Sequence, residues 1–325
     1  MSEFSEELRL SLRSNPKIVH PKWLYDQRGS ELFEQICVQP EYYPTLVERR
    51  ILTQYAKDIV QTVGPGAELV EFGAGASIKV SALLGALTTP SRYVAVDISG
   101  QHLEESLGVL RQDHSHLDIR ALVADFTGPL ELPPSLGQGV RLGLFFGSSI
   151  GNFEPDEARK LLATFRGHLS GGYLLIGVDL LKDPAELHQA YNDAAGVTAE
   201  FNLNLLVRAN KEAHADFDPS SWRHYAFMNV LHRRIEMHLI SSRSQVVHVA
   251  GEPFEFREGE SIWTECSYKY TLKHFCQLAT SAGWETKDAW TDSNNRFALV
   301  LLAVPRAQEA AAPRERSSNL SSTEM

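Results

Sequence analysis

Apolar and polar positions change period several times along the chain, and the first sharp change falls in Val70 to Leu84 (VEFGAGASIKVSALL). Glu68 to Phe72 is a short β-prone run, Gly73 and Gly75 interrupt it, and Val80, Leu83, Leu84 and Leu87 then recur at helical spacing. That order predicts a strand, a glycine turn and an amphipathic helix. Further apolar strand candidates follow at 91–97 (SRYVAVD), 117–125 (LDIRALVAD), 140–147 (VRLGLFFG) and 172–180 (GYLLIGVDL), with helical segments of crossover length between them. Five such strands predict a parallel α/β sheet covered on both faces. A helix is expected at 271–283 (TLKHFCQLATSAG). WETKDAWTD and RFALVLLAVP, separated by Ser293-Asn294-Asn295, then predict an antiparallel hairpin closing the sheet.

Between the fifth strand and that last helix lie about 80 residues, Lys182 to Glu265, too many for a connection inside a compact α/β domain. They predict an insertion, helical over YNDAAGVTAEFNLNLLVRANKE, strand-like over RRIEMHLISSRSQVVHVA and turning at REGE. With the segment before residue 60, this insertion is expected to form a second, α+β lobe over the carboxyl ends of the sheet strands, where open α/β sheets bind ligands. The expected division is 60–190 and 266–305 for the sheet domain and 15–59 and 191–265 for the lobe. Residues 306–325, rich in Ser, Ala and charge, are expected to be a flexible tail.

Composition narrows the partners. The 325 residues are 43% hydrophobic, enough for real cores, and the formal charge of -10 opposes long-range attraction to nucleic acid or anionic membranes. A small-molecule substrate and a monomer are the expectation. Cys37, Cys266 and Cys276 are few and widely spaced, as suits a reducing compartment without disulfides. His274 and Cys276 lack further ligands at metal-binding spacing and are expected to be isolated buried side chains, so no metal is expected. The acidic start MSEFSEELRLSL lacks the basic and apolar regions of a signal peptide, and no segment reaches membrane-spanning length, so a cytoplasmic location is expected.

The candidate chemistry sits at strand ends. Gly73 and Gly75 let the backbone approach a nucleotide-like ligand closely. Asp97 ends the next strand 24 residues after Gly73, where a carboxylate can accept from both ribose hydroxyls. Asp125 and Phe126 end the third strand and offer an acceptor and a ring face for an adenine. Each of these alone is more often a cap or a turn residue. Three at successive strand ends point to one site. Between a nicotinamide dinucleotide and S-adenosylmethionine, the absent third glycine, replaced by Ile78, speaks against the first. Glu71 before the glycines and the terminal hairpin favour the second.

Longer blocks are more specific. WLYDQRGSELFEQI, PEYYPTLVE, VEFGAGASIK, FFGSSIGNF, LLIGVDLLKD, AYNDAAGVTAEFNLN, HADFDP, RIEMHL and IWTECSYKY resemble in order the histidine-specific Nα-methyltransferases of ergothioneine biosynthesis, a resemblance that covers roughly Tyr25 to Val304. The resemblance implies a Rossmann-like class I methyltransferase sheet with an added substrate-binding lobe, and trimethylation of the α-amine of L-histidine to hercynine with S-adenosylmethionine as donor. It implies that Gly73, Lys79, Asp97, Asp125 and Phe126 hold the cofactor, with Gly147 near the reacting centre. It further implies that Asn152 and Tyr191 take the α-carboxylate, that Tyr25 and Tyr42 line the pocket, and that Glu265 and Ser267 grip the imidazole with Met237 beside it. No residue is marked as a catalytic acid or base. Ala74, Ala76 and Leu46 depart from the Ser, Thr and Arg common in that family. The alternatives are the same chemistry on another amino acid, such as tryptophan, and a cofactor-binding regulator without turnover.

Overall fold

The computed structural model describes residues 2–75, 78–169 and 171–305; the tail expected at 306–325 lies outside the described residues. The chain opens with α1 (Glu3–Arg13), capped by the Ser2 hydroxyl and buried along Phe4, Leu8 and Leu12. The two-residue β1 (Lys17–Ile18) leads to α2 (Gln27–Cys37), capped by Asp26, and to the long α3 (Tyr43–Val63), which starts at a proline and stops at Gly64. Next come β2 (Glu68–Phe72), α4 (Ser81–Leu84), β3 (Arg92–Asp97), α5 (Gly100–Asp113), β4 (Asp118–Val123), β5 (Arg141–Phe145), α6 (Pro155–His168) and β6 (Tyr173–Asp179). The remainder is α7 (Pro184–Tyr191), α8 (Val197–Glu212), β7 (Trp222–Asn229), β8 (Arg234–Ser241), β9 (Gln245–Val249), β10 (Glu252–Phe256), β11 (Ser261–Tyr268), α9 (Leu272–Ser281), β12 (Glu285–Thr291) and β13 (Phe297–Ala303).

Seven strands form one sheet in the order β12-β13-β6-β5-β2-β3-β4. The strands from β6 to β4 pair in parallel, and β13 runs antiparallel to both β6 and β12, as the hairpin pattern predicts. Strand residues alternate between two cores. Leu69, Tyr93, Ala95, Leu142 and Leu144 face the layer that includes α3, whereas Val70, Phe72, Val94, Val96 and Phe145 face α6 and α9. Burial on both faces is why these strands read as continuous apolar runs.

The second sheet has the order β1-β11-β8-β7, parallel between β1 and β11 and antiparallel elsewhere, with a separate β9–β10 hairpin. It meets the large sheet where β5 ends. A Cβ on Gly151, in the 3-10 turn Ser149–Asn152, would come within 2.8 Å of the Tyr268 carbonyl oxygen, so glycine is what permits this approach. The Leu180–Tyr270 bridge is a second junction.

Two expectations need correction. The helix after the glycine turn is one turn long, because Gly85 and Thr88-Thr89-Pro90 stop it, although Val80, Leu83, Leu84 and Leu87 are buried as their spacing predicts. His274 is exposed, 2.9 Å from an Arg233 guanidinium nitrogen, because α9 turns Phe275 and Ala279 inward; Cys276 is half-buried. The strand β7 occupies a stretch for which the sequence pattern predicts no element. The expected divisions at 59/60 and 265/266 fall inside α3 and β11, and α1, outside the expected lobe, packs beside α8 and β1.

Phe165 of α6 is fully buried, stacked on Phe72 at 4.0 Å between centroids, edge-on to Phe145 at 5.2 Å and 6.2 Å from Phe126. Phe165→Ala should therefore cost about 3–5 kcal/mol of stability, read from the urea midpoint. It should also loosen Phe126, which projects from this cluster toward the glycine turn.

Candidate active site

The chain leaves β2 through Gly73, at φ +70°, whose N–H donates to the Val96 carbonyl at 2.8 Å. A Cβ there would lie 3.3 Å from the Phe126 ring, so the turn and the ring form a narrow cradle that a larger residue would fill. Gly75 at φ +50° donates its N–H to Asp97 Oδ2 at 3.0 Å, and Ser99 N–H donates to Oδ1 at 2.9 Å. Phe126 leans on Phe145 at 5.5 Å. Asp125 Oδ1 accepts from the Thr127 N–H at 2.8 Å and hydroxyl at 2.5 Å, and Lys22 Nζ lies 3.7 Å from Oδ2. Burial raises the Asp125 pKa, but Thr127 and Lys22 outweigh it and hold the group below its ordinary value. A bare backbone turn, a ring face and two half-buried carboxylates at the ends of β3 and β4 fit a nucleoside with a ribose diol and an exocyclic amine. Glu71 faces inward beneath the turn, bonded by the Tyr93 hydroxyl at 2.6 Å, and burial pushes it up to about 8.

Lys79 is committed to an ion pair. Its ammonium lies 2.7 Å from Glu48 Oε2, and this fully buried carboxylate also accepts the Gly147 N–H at 2.9 and 3.0 Å. Burial lowers the Lys79 pKa, but Glu48 outweighs it and raises the value. Gly147, at φ +74°, thus begins the FFGSSIGNF loop anchored from α3. Asn152 ends that loop half-buried, its side-chain amide without a hydrogen bond to any described residue.

The remaining predicted residues converge from five parts of the chain. Glu265 and Met237 are direct partners across β11 and β8, both nearly buried. Ser267, two residues on along β11, lies 2.9 Å from the Tyr191 hydroxyl at the end of α7. Tyr42 packs edge-on to Tyr191 at 6.2 Å, and Tyr25 edge-on to Phe33 and Phe201. Burial first, then Glu265 for Tyr25 and Tyr191 for Tyr42, keeps both phenols protonated well beyond their ordinary range. Glu265 has no hydrogen bond to its carboxylate from any described residue, and burial, against the attraction of Lys269, pushes it up to about 7.

Sequence reasoning missed the ionic groups behind this pocket. Asp179, fully buried at the end of β6, accepts the Tyr43 hydroxyl at 2.8 and 2.7 Å and pairs with Lys182 at 2.5 Å and Lys269 at 2.7 Å. Burial opposes the Asp179 charge, but the two lysines hold its pKa below the ordinary value. Burial lowers the Lys182 pKa to about 8; Lys269, also opposed by burial, is raised by Asp179 and Tyr191. The alternation that marks Glu265 and Ser267 as one face of a strand reaches Lys269 at the next step, and that signal was available. Glu48 carries no such mark.

A glycine turn after β2, acids ending β3 and β4, and an antiparallel last strand define a methyltransferase that uses S-adenosylmethionine. The family model described as "Histidine-specific methyltransferase, SAM-dependent" matches residues 4–304, and the chain belongs to that family. It is 38% identical to the histidine N-alpha-methyltransferase of Mycolicibacterium smegmatis, over 91% of this chain and 93% of that protein. It is 32% identical to ergothioneine biosynthesis protein 1 of Neurospora crassa, over 90% of this chain and 34% of that longer protein. A 4-dimethylallyltryptophan N-methyltransferase of Claviceps purpurea is 26% identical over 92% of this chain and 94% of its own. Among the described residues no group of three His, Cys, Asp or Glu could hold a metal ion, and no helix is long and apolar enough to cross a membrane.

The Glu265 environment has a pH signature. Its native pKa of about 7 lies above the ordinary 4.5, so the native state holds the proton more tightly than the unfolded chain, and stability falls as pH rises between those values. Glu265→Gln, neutral throughout, should exceed the wild type in ligand-free stability by on the order of 2–3 kcal/mol at pH 8. The gain should shrink toward zero near pH 4.5. Urea midpoints at the two pH values measure both.

Proposed function

We propose that this protein transfers methyl groups from S-adenosylmethionine to the α-amine of L-histidine, three in succession, giving hercynine for ergothioneine biosynthesis. The observation that carries the substrate is Glu265: a buried carboxylate with no hydrogen bond from any described residue, beside a serine hydroxyl, within a wall of Tyr25, Tyr42, Tyr191 and Met237. An unpaired buried carboxylate is costly unless a ligand supplies a donor, and an imidazole N–H does so where an apolar side chain cannot.

In this reading Asp97 accepts from the ribose hydroxyls, Asp125 from the adenine amine, Phe126 covers the ring, and the Gly73 backbone admits the cofactor closely. Lys79 acts at this end through Glu48, steadying the Gly147 loop against the cofactor turn. When bound, S-adenosylmethionine supplies an electrophilic methyl group on a sulfonium. The chain supplies orientation. Asn152 and Tyr191 hold the α-carboxylate, Glu265 and Ser267 hold the imidazole with Met237 packed beside it, and the amine between these grips is left free to turn its lone pair toward the methyl. One proton leaves the nitrogen for each methyl gained. The phenols of Tyr25 and Tyr42, kept protonated, line the pocket as donors rather than bases.

The two-lobe division belongs to the same proposal, with the sheet side holding cofactor and the insertion reading the amino acid. So do a monomeric state, independence of metal and a cytoplasmic location. The Claviceps relative's name favours one second reading, a tryptophan-type substrate. Glu265 opposes it, because an indole placed there would bury the carboxylate beside a larger apolar surface.

Mass spectrometry of the protein incubated with S-adenosylmethionine and a panel of amino acids tests the function. Trimethylated histidine should be the main product, and its absence, or preferential methylation of tryptophan, would overturn the proposal. Asp97→Ala should weaken cofactor binding by about 1.5–3 kcal/mol in calorimetric titration. Glu265→Ala should raise the KM for histidine strongly with a smaller loss in kcat, measured by steady-state kinetics.

A further inference from the structure

Lys269 is almost wholly buried, and its three ammonium hydrogens meet three acceptors: Asp179 Oδ2 at 2.7 Å, Ser267 Oγ at 2.8 Å and Tyr191 Oη at 2.9 Å. An ammonium has three donors and no acceptor, so all of its hydrogen-bonding capacity is spent on these groups. The two hydroxyls are 2.9 Å apart and share one hydrogen bond. They own two protons in total. One lies on the edge between them, and the lysine cannot accept the other.

We propose that Lys269 is a positioning residue that fixes the hydrogen-bond polarity of the substrate pocket, leaving Tyr191 and Ser267 a single O–H between them to offer a ligand. This inference rests on the reading of Tyr191 as a carboxylate contact and Ser267 as an imidazole contact. A carboxylate only accepts, so it takes the Tyr191 proton. The bond that runs from the Tyr191 hydroxyl to Ser267 in the free protein then reverses, the Ser267 proton turning inward to Tyr191, and Ser267, already accepting from Lys269, presents a lone pair to the ring. The ring nitrogen facing Ser267 therefore carries the N–H, and one proton is shared between the other nitrogen and Glu265. The grips on the two ends of the amino acid are thus coupled through one lysine. A side chain without an N–H fails at Ser267 because nothing there can donate.

Lys182 provides the control, since it pairs with the same Asp179 but has no hydrogen bond to Tyr191 or Ser267. Kinetics of the full-length protein should show Lys269→Met raising the histidine KM about 10-fold or more with a smaller change in kcat, the size expected for losing charge-assisted hydrogen bonds. Its preference for histidine over β-(2-thienyl)alanine, a five-membered ring with no N–H, should narrow by a similar factor. Lys182→Met should keep the wild-type preference. If Lys269→Met does not fold, the double-mutant cycle of Tyr191→Phe with Ser267→Ala carries the test. The shared proton requires their effects on histidine kcat/KM to be non-additive by several-fold. Additive effects, or a Lys269→Met preference no different from that of Lys182→Met, would overturn the proposal. Failure of the wild type to methylate histidine would instead remove the functional reading beneath it.

Discussion

Burial of the Asp179 carboxylate is the constraint on which the rest of the site depends. A lone charge so far from water would be strongly unfavourable, and it persists because Lys182, Lys269 and the Tyr43 hydroxyl converge on it from different parts of the chain. Asp179 ends a strand of the large sheet, Lys269 follows the last strand of the small one, and Tyr43 begins α3. Satisfying the carboxylate therefore docks the two sheets and the long helix at one point. The Tyr270 N–H, donating to the Asp179 carbonyl at 3.1 Å, and the Ser148 hydroxyl, accepting the Asp179 N–H at 2.9 Å, bring in the backbone and the loop after β5. Removing any one cation would leave a buried charge poorly matched, so the junction is specified as well as stabilised.

The same physics runs in reverse a few residues away. Asp179 and Glu48 are buried with hydrogen-bonded partners present, whereas Glu265 is buried with no hydrogen bond to its carboxylate from any described residue. Paired carboxylates hold parts of the protein together. An unpaired one stores an unfavourable free energy that a ligand donor can relieve, and its raised pKa expresses the same cost. The pocket thus couples a rigid ionic floor to one deliberately unsatisfied acceptor. The glycine-turn side is built differently, from bare glycine backbone and strand-end carboxylates that already accept from nearby N–H groups.

Much of this architecture was legible in the sequence, because local rules suffice for it. The apolar runs, the glycine break, the strand-end acids and the terminal hairpin follow from periodicity and turn chemistry, and the large sheet has them where the pattern predicts. The glycines at 73 and 75 both adopt positive φ, as a turn beneath a closely approaching ligand demands. The length of the helix after them was misread, since apolar spacing marks which residues are buried and not how long the hydrogen-bonded run continues. The exposure of His274 was misread for a related reason: its place on α9 depends on which face of that helix the sheet covers.

By itself, then, the sequence determined the α/β class, the strand succession, the cofactor-type turn and the identity of the side chains available for a pocket. Tertiary structure alone decided which charges meet. Glu48 lies 31 residues from Lys79 and 99 from Gly147, and Asp179 lies 136 residues from Tyr43, so no local pattern connects them. Ion pairing and desolvation depend on distance in space and on the exclusion of water, and both exist only after the two sheets have closed on each other. That closure leaves Glu265 an acceptor with no hydrogen-bond donor among the described residues and makes Lys269 a fully engaged donor, a difference that their positions four residues apart in the chain do not reveal.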